Sequence, residues 1–537
     1  MSLPLVLTPL KHRQFAWLCA GTMIAALGTW IQSTTSAWIM TDLAPDALMV
    51  SLTQAAAQLP ILFLVVPAGA LADLVDRRRY LVLTNVWMFA MAALLAVLYG
   101  LGLVGPWLLL ALTALLSVGV ALNAPAWSSS VPLTVPRDDL PRAVLLNSMG
   151  FNLARAIGPA LGGILVATIG AAFAFTLNAA SFALVAVISG AILAFPAARP
   201  LGGLPPESKG RAILLGLRYV GAEPNVRAAM VRSLAFYGLA SAIWALLPIF
   251  VRQKLGMSAA GYGVMLGATG VGAMLGGIMM PWLNGRLSRD NQVMLGGVVC
   301  SATLLPVALL SSTVATGCAM IVFGCGWILA ASNLLATVQL ASAPWVRARC
   351  VAVYQAIFNG GMGFGAITWG WLAESAGLSG TLLAAGLGGI GMALVSRAYP
   401  LSEEIIDPSL PSSVTPPVVI AHDMMLSDLK ASRHSVAVTI AYEVNYEDAD
   451  AFRAAMSDVA AARRRDGATA WTLGRDIERP GRWLEAFRIP DWWELHRGIA
   501  RMNLTDGEAT RTARTFHRDE QPPDVSVMVI EQLDSHR

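Results

Sequence analysis

Phe15–Met40, FAWLCAGTMIAALGTWIQSTTSAWIM, runs for 26 residues without one charged side chain. A helix rising about 1.5 Å per residue needs about 20 apolar residues to cross the hydrocarbon core of a bilayer. This stretch is long enough to cross, and it is too long for the apolar core of a cleaved signal peptide, so it reads as a retained first span. Working outward, apolar runs recur at 48–72, 80–101, 107–130, 144–169 and 172–195. A charged stretch rich in Pro and Gly, 196–227, interrupts them, and six more runs follow at 230–251, 261–283, 292–312, 314–340, 350–373 and 378–398. The fold expected is an all-α polytopic membrane protein of twelve transmembrane helices, built as two six-helix bundles.

The charge distribution supports that division and adds a second piece. Only 13% of the residues are charged, against about 25% in an ordinary soluble domain. Residues 1–399 hold 21 Lys and Arg against 10 Asp and Glu, a balance of +11, whereas 400–537 hold 16 against 23, a balance of −7. The expected domains are 1–195 and 228–399 as the two membrane bundles, 196–227 as a cytoplasmic loop, 400–433 as a linker and 434–537 as a soluble domain. With the N-terminus inside, 18 of the 21 basic residues in the membrane part fall on the cytoplasmic side and only Arg252 and Lys254 face outward. The positive-inside rule therefore places the N-terminus in the cytoplasm, and an even number of spans returns the C-terminus there. The five cysteines have no metal-ligand or CxxC spacing and all six histidines lie outside the apolar runs. No metal, cofactor, catalytic constellation or nucleic-acid partner is expected; the partners are the bilayer and a small-molecule substrate.

Between spans 2 and 3 the chain reads Gly69-Ala-Leu71-Ala-Asp73-Leu-Val-Asp76-Arg77-Arg78-Arg79. Span 5 reads Gly150-Phe-Asn152-Leu-Ala-Arg155-Ala-Ile-Gly158-Pro159-Ala-Leu-Gly162-Gly163. The first resembles the signature loop of the major facilitator superfamily, with Asp76 where many members carry a second glycine, a variant similar to the siderophore (enterobactin)-exporter branch. The second is similar to the span-5 motif of the superfamily's antiporters. The resemblance implies a bacterial inner-membrane carrier working by alternating access. Asp73 would lie against the positive end of a facing helix near Cys350, and Arg77 and Arg78 would pair with Asp138 or Asp139. In span 5, Pro159 removes the backbone bond to position 155, and the glycines admit a neighbouring helix, an arrangement suited to a hinge or seal. The matching loop after span 8, from Gly276-Gly277 to Arg289, has no acidic residue before Asp290.

Arg155 falls mid-span, where an unpaired guanidinium is costly and must face the bundle interior or a wet cavity. It reads as a partner for an anionic or phenolate-bearing substrate, or as bonded to helix carbonyls, Asn152 or Asn178. No carboxylate falls at mid-membrane, so proton coupling is implied by the resemblance and not by these residues. Trp30, Gln32, Trp38, Asn123 and Trp127 are the polar and aromatic candidates for a central cavity, with Asn359 and Trp369 as further suggestions from span 11; the tryptophans would stack on an aromatic ligand.

In the soluble part the period changes. Ser435–Val444 alternates as a strand, Glu447–Arg465 reads as a helix, Ala468–Ile477 and Trp483–Ile489 as a hairpin, Trp492–Met502 as a helix capped by Asp491, Asp506–Phe516 as a short helix and Val525–Leu533 as a closing strand. This order is ferredoxin-like. It resembles the α+β domains of the antibiotic-biosynthesis monooxygenase group, which implies homodimerisation through the domain. That group's substrates lie near Trp, Asn and His residues, of which Trp471, Trp493, His496 and Asn503 are present. In the loop before the second bundle, Arg211–Val220 reads as a surface helix with Ile213, Leu214, Leu217 and Val220 set against Arg211 and Arg218. The function expected is secondary efflux of a small organic molecule; the rivals are an uptake symporter and an oxidoreductase tethered by its spans.

Overall fold

The computed structural model describes residues 5–72, 76–191, 209–402, 435–501 and 504–530. In chain order the helices of the apolar region are α1 (Arg13–Leu43), α2 (Ala47–Ala72), α3 (Arg77–Gly100), α4 (Pro106–Ser130), α5 (Leu140–Thr168), α6 (Ala171–Ala191), α7 (Lys209–Ala222), α8 (Pro224–Gln253), α9 (Ala259–Asn284), α10 (Arg289–Leu309), α11 (Thr313–Leu340) and α12 (Arg347–Val395). Among the described residues eleven helices are long and apolar enough to cross a membrane; α7 is shorter. The last of the eleven, α12, is 49 residues long and carries one non-helical residue, Gly377, at φ +72° and ψ 163°. An L side chain rarely adopts that φ, so the glycine turns the chain between the two apolar runs expected at 350–373 and 378–398.

The chain divides into two compact units that do not follow its linear order. One comprises residues 1–199, 229–336 and 352–401; the other comprises 200–228, 337–351 and 402–537. In the first unit the apolar surroundings leave the backbone no water to bond, so each span satisfies its own ladder as a helix. Side-chain hydroxyls follow the same logic: Thr22, Thr29, Thr34 and Thr35 of α1 each donate to the carbonyl four residues back. Small residues then let backbones approach. A Cβ on Gly276 of α9 would stand 3.0 Å from the Cys325 backbone of α11, and one on Gly296 of α10 would stand 2.8 Å from the Ala330 nitrogen.

The second unit holds a four-stranded antiparallel sheet of order β2-β3-β1-β4, from β1 (Val436–Glu443), β2 (Thr469–Arg475), β3 (Arg482–Ile489) and β4 (Asp524–Val529). Helices α13 (Ala449–Arg465), α14 (Trp492–Arg501) and α15 (Leu504–Thr515) complete it. Strand β1 alternates as its sequence requires, burying Val436, Val438, Ile440 and Tyr442 in one core with Phe452, Met456 and Val459 of α13. Asp491 caps α14, its Oδ1 accepting the Glu494 amide at 2.7 Å. Glu485 is fully buried on the core side of β3, where its carboxylate accepts from Trp471 Nε1 (3.0 Å), Arg463 Nε (3.3 Å) and the Tyr442 hydroxyl (3.3 Å).

Helix α7 belongs to this second unit. Arg465, at the end of α13, reaches Glu223 at 3.1 Å and also pairs with Asp506. Burial pushes the Glu223 carboxyl above the ordinary carboxylate range, with Arg465 pulling against it. On α7, Leu215 faces Gly467, where a Cβ would come within 2.9 Å of its Cδ1. One turn on, the Tyr219 hydroxyl donates to the Ala341 carbonyl and accepts from the Ala343 amide, each at 3.2 Å. The buried side of α7 is thus Leu215 and Tyr219. The apolar stripe of Ile213, Leu214 and Leu217 stays exposed.

Candidate functional site

Arg155 lies midway along α5, partly exposed, with its guanidinium over three indole rings: Trp327 at 5.5 Å, Trp30 at 5.8 Å and Trp244 at 5.9 Å. Each distance is within cation–π range. Trp30 comes from α1, Trp244 from α8 and Trp327 from α11, so the cation of the first half of the helices (α1–α6) lies among aromatics of both that half and the second (α8–α12). Behind them the second half supplies a continuous aromatic wall. Phe236 and Tyr237 each stand 5.5 Å from Trp327, Tyr237 is 4.7 Å from Phe358, and the Tyr237 and Tyr354 hydroxyls share a 2.6 Å hydrogen bond.

Two donors in this chamber lack acceptors. Among the described residues the contacts of the partly exposed Arg155 guanidinium are those with the three indole rings, with no ion pair or hydrogen bond, and the buried indole N–H of Trp244 has no partner. The buried Trp244 N–H left unmatched costs roughly 1–3 kcal/mol. Asn152 and Asn178, the alternative partners for Arg155, are engaged elsewhere: Asn152 donates to the Ser148 carbonyl at 2.9 Å and Asn178 donates to Gln32.

The two halves meet at the end of the bundle where α1 stops and α8 stops. Arg252 pairs with Asp42 and reaches the Thr41 hydroxyl at 2.9 Å, and Gln253 donates to the Pro45 carbonyl at 3.0 Å. Trp38 stacks on Tyr262 at 6.1 Å under the Arg252 guanidinium. From there α5 lies along α9. A Cβ on Gly163 would stand 2.8 Å from Gly263 Cα, and one on Gly270 would stand 2.7 Å from Ala156 Cα. Helix α2 meets α12 likewise, a Cβ on Gly363 falling 2.6 Å from Leu59. At the opposite end the polar contacts of Arg78, Asp139 and Arg232 each stay within one half. Arg78 donates to the Gly190 carbonyl, Asp139 joins His12 (3.0 Å) and Arg142 (3.3 Å), and Arg232 joins Asp290. The hydrogen bond from His12, helped by Arg142, holds the Asp139 carboxyl below the usual range.

A multi-helix membrane chain with a charged, aromatic chamber between its halves has the form of a carrier, and the comparisons agree. The family model described as transmembrane secretion effector, one of the major facilitator (MFS) families, matches residues 5–534. The chain belongs to this major facilitator family. It is 25% identical over 405 residues to the multidrug efflux pump Tap of Mycolicibacterium fortuitum, covering 74% of this chain and 97% of that protein. It is 22% identical over 290 residues to the Staphyloferrin A transporter of Staphylococcus aureus, covering 54% and 72%. A bacterial homologue of the lysosomal transporter Spinster, solved inward-facing and occupied, superposes with a TM-score of 0.58 at 14% identity, covering 74% of this chain and 99% of that one. Its relatives being carriers, this transporter is a multi-pass membrane protein and not an enzyme.

The transporter's structure redistributes the residues singled out in the sequence. Arg155 and Trp30 share the chamber. Gln32 does not line it freely; it is buried against Asn178 between α1 and α6. Trp38 sits at the closed end and not in the chamber. Asn123 donates to the Thr84 hydroxyl at 2.7 Å, and Trp127 packs beside the Phe15, Leu18 and Tyr80 cluster, so both serve packing within the first half. Asn359 donates back to the Gln355 carbonyl and Trp369 to the Gly238 carbonyl. The expected pairing of Arg78 with the 138–139 loop is replaced by its bond to Gly190. Asp76 caps α3 by accepting the Arg79 amide at 2.9 Å, Arg77 opens that helix, and Leu71 is exposed at the end of α2. Gly69 lies in the last turn of α2, whereas Asp73 and Asn503 fall outside the described residues. In span 5, Gly158 and Gly162 take α1 at Trp30 and Ile31, Gly150 takes Met23, and Pro159 and Gly163 take Gly263 of α9. Trp244 and Trp327 were not singled out from sequence, because nothing local separates them from the other tryptophans.

Proposed function

We propose that the protein is an exporter of small, flat, acidic organic molecules. On this reading twelve spans, with α12 counted as two crossings about Gly377, form two six-helix halves that rock around the Arg155 chamber. The observation that carries it is that chamber: a cation without a counter-ion among the described residues, set among Trp30, Trp244 and Trp327 from both halves. Export is the direction favoured by the family's description and by the efflux role in the name of Tap. The basic flanks favour a bacterial inner membrane with both termini cytoplasmic. The meeting of the halves near Arg252, Asp42 and Gly163 then corresponds to an outward-closed, inward-open state, ready to receive substrate from the cytoplasm. A siderophore bearing catechol or carboxylate groups has suitable chemistry.

The soluble part is proposed to be a ferredoxin-like module that pairs with a second copy. The sheet order supports it, as does the outer face of the sheet, where Thr439 and Ala441 of β1, Ala486 of β3 and Ser526 of β4 are small and uncharged beside the exposed Leu484 and Met528.

Everted membrane vesicles test the export reading. With the protein present they should accumulate members of a panel of catechol siderophores and acidic aromatic dyes above empty-vector vesicles. Equal accumulation with and without the protein, in vesicles of both orientations, refutes export.

A further inference from the structure

The exporter reading leaves its driving force open, and the charges of the membrane unit bear on it. Among the described residues Arg155 is the one ionisable Lys, Arg, Asp, Glu or His in the central part of a span; the described carboxylates of the apolar region stand at span ends or in loops, and no histidine lies in an apolar run of the sequence. An arginine does not give up its proton in a protein. The phenols of Tyr237 and Tyr354 belong to a class that ordinarily titrates near pH 10. Among the described residues no group in the chamber is thus suited to taking up a proton on one side at neutral pH and releasing it on the other. The chamber's charge is fixed at +1, and the acceptors it lacks are those an anion supplies.

We propose that the protein expels its substrate as an anion driven by the membrane potential, without exchanging it for protons. This rests on the exporter reading. Inside-negative potential acts on such a cycle in a definite sense. Loaded with a monoanion, the chamber is neutral and its rocking is indifferent to the field. Emptied, it carries the Arg155 charge, and the field favours its return to the inward-open state. One negative charge leaves the cell per turn and no proton moves. A unit charge crossing 100 mV gains about 2.3 kcal/mol, which converts to an outward concentration ratio of roughly 50. The tryptophan faces set the remaining requirement, an aromatic body that stacks.

The probe is 1-naphthalenesulfonate, which stays ionised at every accessible pH and so carries no proton, with neutral naphthalene-1-sulfonamide beside it. Purified full-length protein is placed in liposomes carrying a potassium diffusion potential set with valinomycin, the pH being equal on both sides. The sulfonate should move toward the positive side to a ratio approaching ~50 at 100 mV, and a pH gradient without potential should drive none. The sulfonamide should show no response to potential. Arg155→Gln should abolish both the potential-driven flux and quenching of tryptophan fluorescence by the sulfonate, while Arg155→Lys keeps both. Gel filtration of the two variants reports their folding. Sulfonate flux that follows a pH gradient and ignores the potential overturns the proposal and leaves the exporter reading standing. Absence of sulfonate binding by wild-type protein also overturns it. Absence of any export in the everted-vesicle panel refutes the exporter reading itself.

Discussion

Gly163→Ala adds one methyl where α5 crosses α9, and the structure says what that methyl meets. Its Cβ would lie 2.8 Å from Gly263 Cα, 2.9 Å from Gly263 N and closer still to the Ala259 carbonyl oxygen. All three are backbone atoms, which cannot rotate away, so the helices must part by several tenths of an ångström or more. Overpacking of this kind costs typically ~1–3 kcal/mol. The contact joins the two halves, so the cost falls on the state in which they meet at that end. At about 1.4 kcal/mol per tenfold, the outward-closed population should fall roughly 5- to 150-fold relative to its outward-open alternative. Spin labels on Ala44→Cys and Lys254→Cys, in a background without the native cysteines, read the separation there by pulsed dipolar spectroscopy. Gly163→Ala should shift the distribution to longer distances. Gly267→Ala, whose Cβ meets only the Ala160 methyl at 3.3 Å, should shift it less, and Gly277→Ala, with nothing within 4 Å, should leave it unchanged. An unaltered distribution and full transport in Gly163→Ala would refute the assignment of this contact as the seal.

Two further predictions concern charges outside the chamber. The Arg232 side chain is 1% exposed and paired with Asp290, whose carboxylate also accepts the Leu401 amide at 3.1 Å. Arg232→Met strands that carboxylate and should destabilise the protein by about 3–5 kcal/mol, with Arg232→Met/Asp290→Leu recovering most of the loss, as thermal unfolding in detergent would report. Glu223 titrates higher when α7 is packed than when it is free. Its contribution to packing is therefore full below the ordinary carboxylate pKa and falls away as pH rises through the elevated value. Amide protection factors of 209–222 should decrease over that window in the wild type, and Glu223→Gln should flatten the decrease.

The spans were legible because lipid leaves one solution for an uncharged 20-residue run, and that constraint acts locally. The long apolar stretch 350–398 was legible for the same reason, and the non-helical Gly377 falls at the short gap in it. Which side chains gather was another matter. Trp30, Trp244 and Trp327 come together only once α1, α8 and α11 are packed, and the sequence presents sixteen tryptophans alike. Periodicity found the Ile213, Leu214 and Leu217 stripe on α7, yet burial went to Leu215 and Tyr219, whose partners lie at 341–343 and 467, over a hundred residues away. Gln32 and Asn178 illustrate the converse. Polar residues in spans read as cavity lining, but two amides 146 positions apart can satisfy each other inside the packing.

Arg155, Pro159 and Gly163 stand four residues apart on α5, one turn from each other. Pro159 has no N–H, so the Arg155 carbonyl loses its normal helical donor. The residue that carries the chamber's charge is thus also the point where the helix is weakest, and the next turn holds the glycine that meets α9. Opening the Gly163 contact while the start of α5 stays with the first half requires bending somewhere between them, and the absent bond is where bending costs least. Pro159→Ala restores the bond and should stiffen α5, since proline in a helix interior is disfavoured by ~3 kcal/mol relative to alanine. Binding of 1-naphthalenesulfonate at equilibrium should be nearly unchanged, because the chamber residues are intact, while turnover falls. Pro281→Ala, at an exposed position near the end of α9, should leave turnover intact. If Pro159→Ala transports at the wild-type rate, α5 moves as a rigid rod and the hinge must lie in another helix.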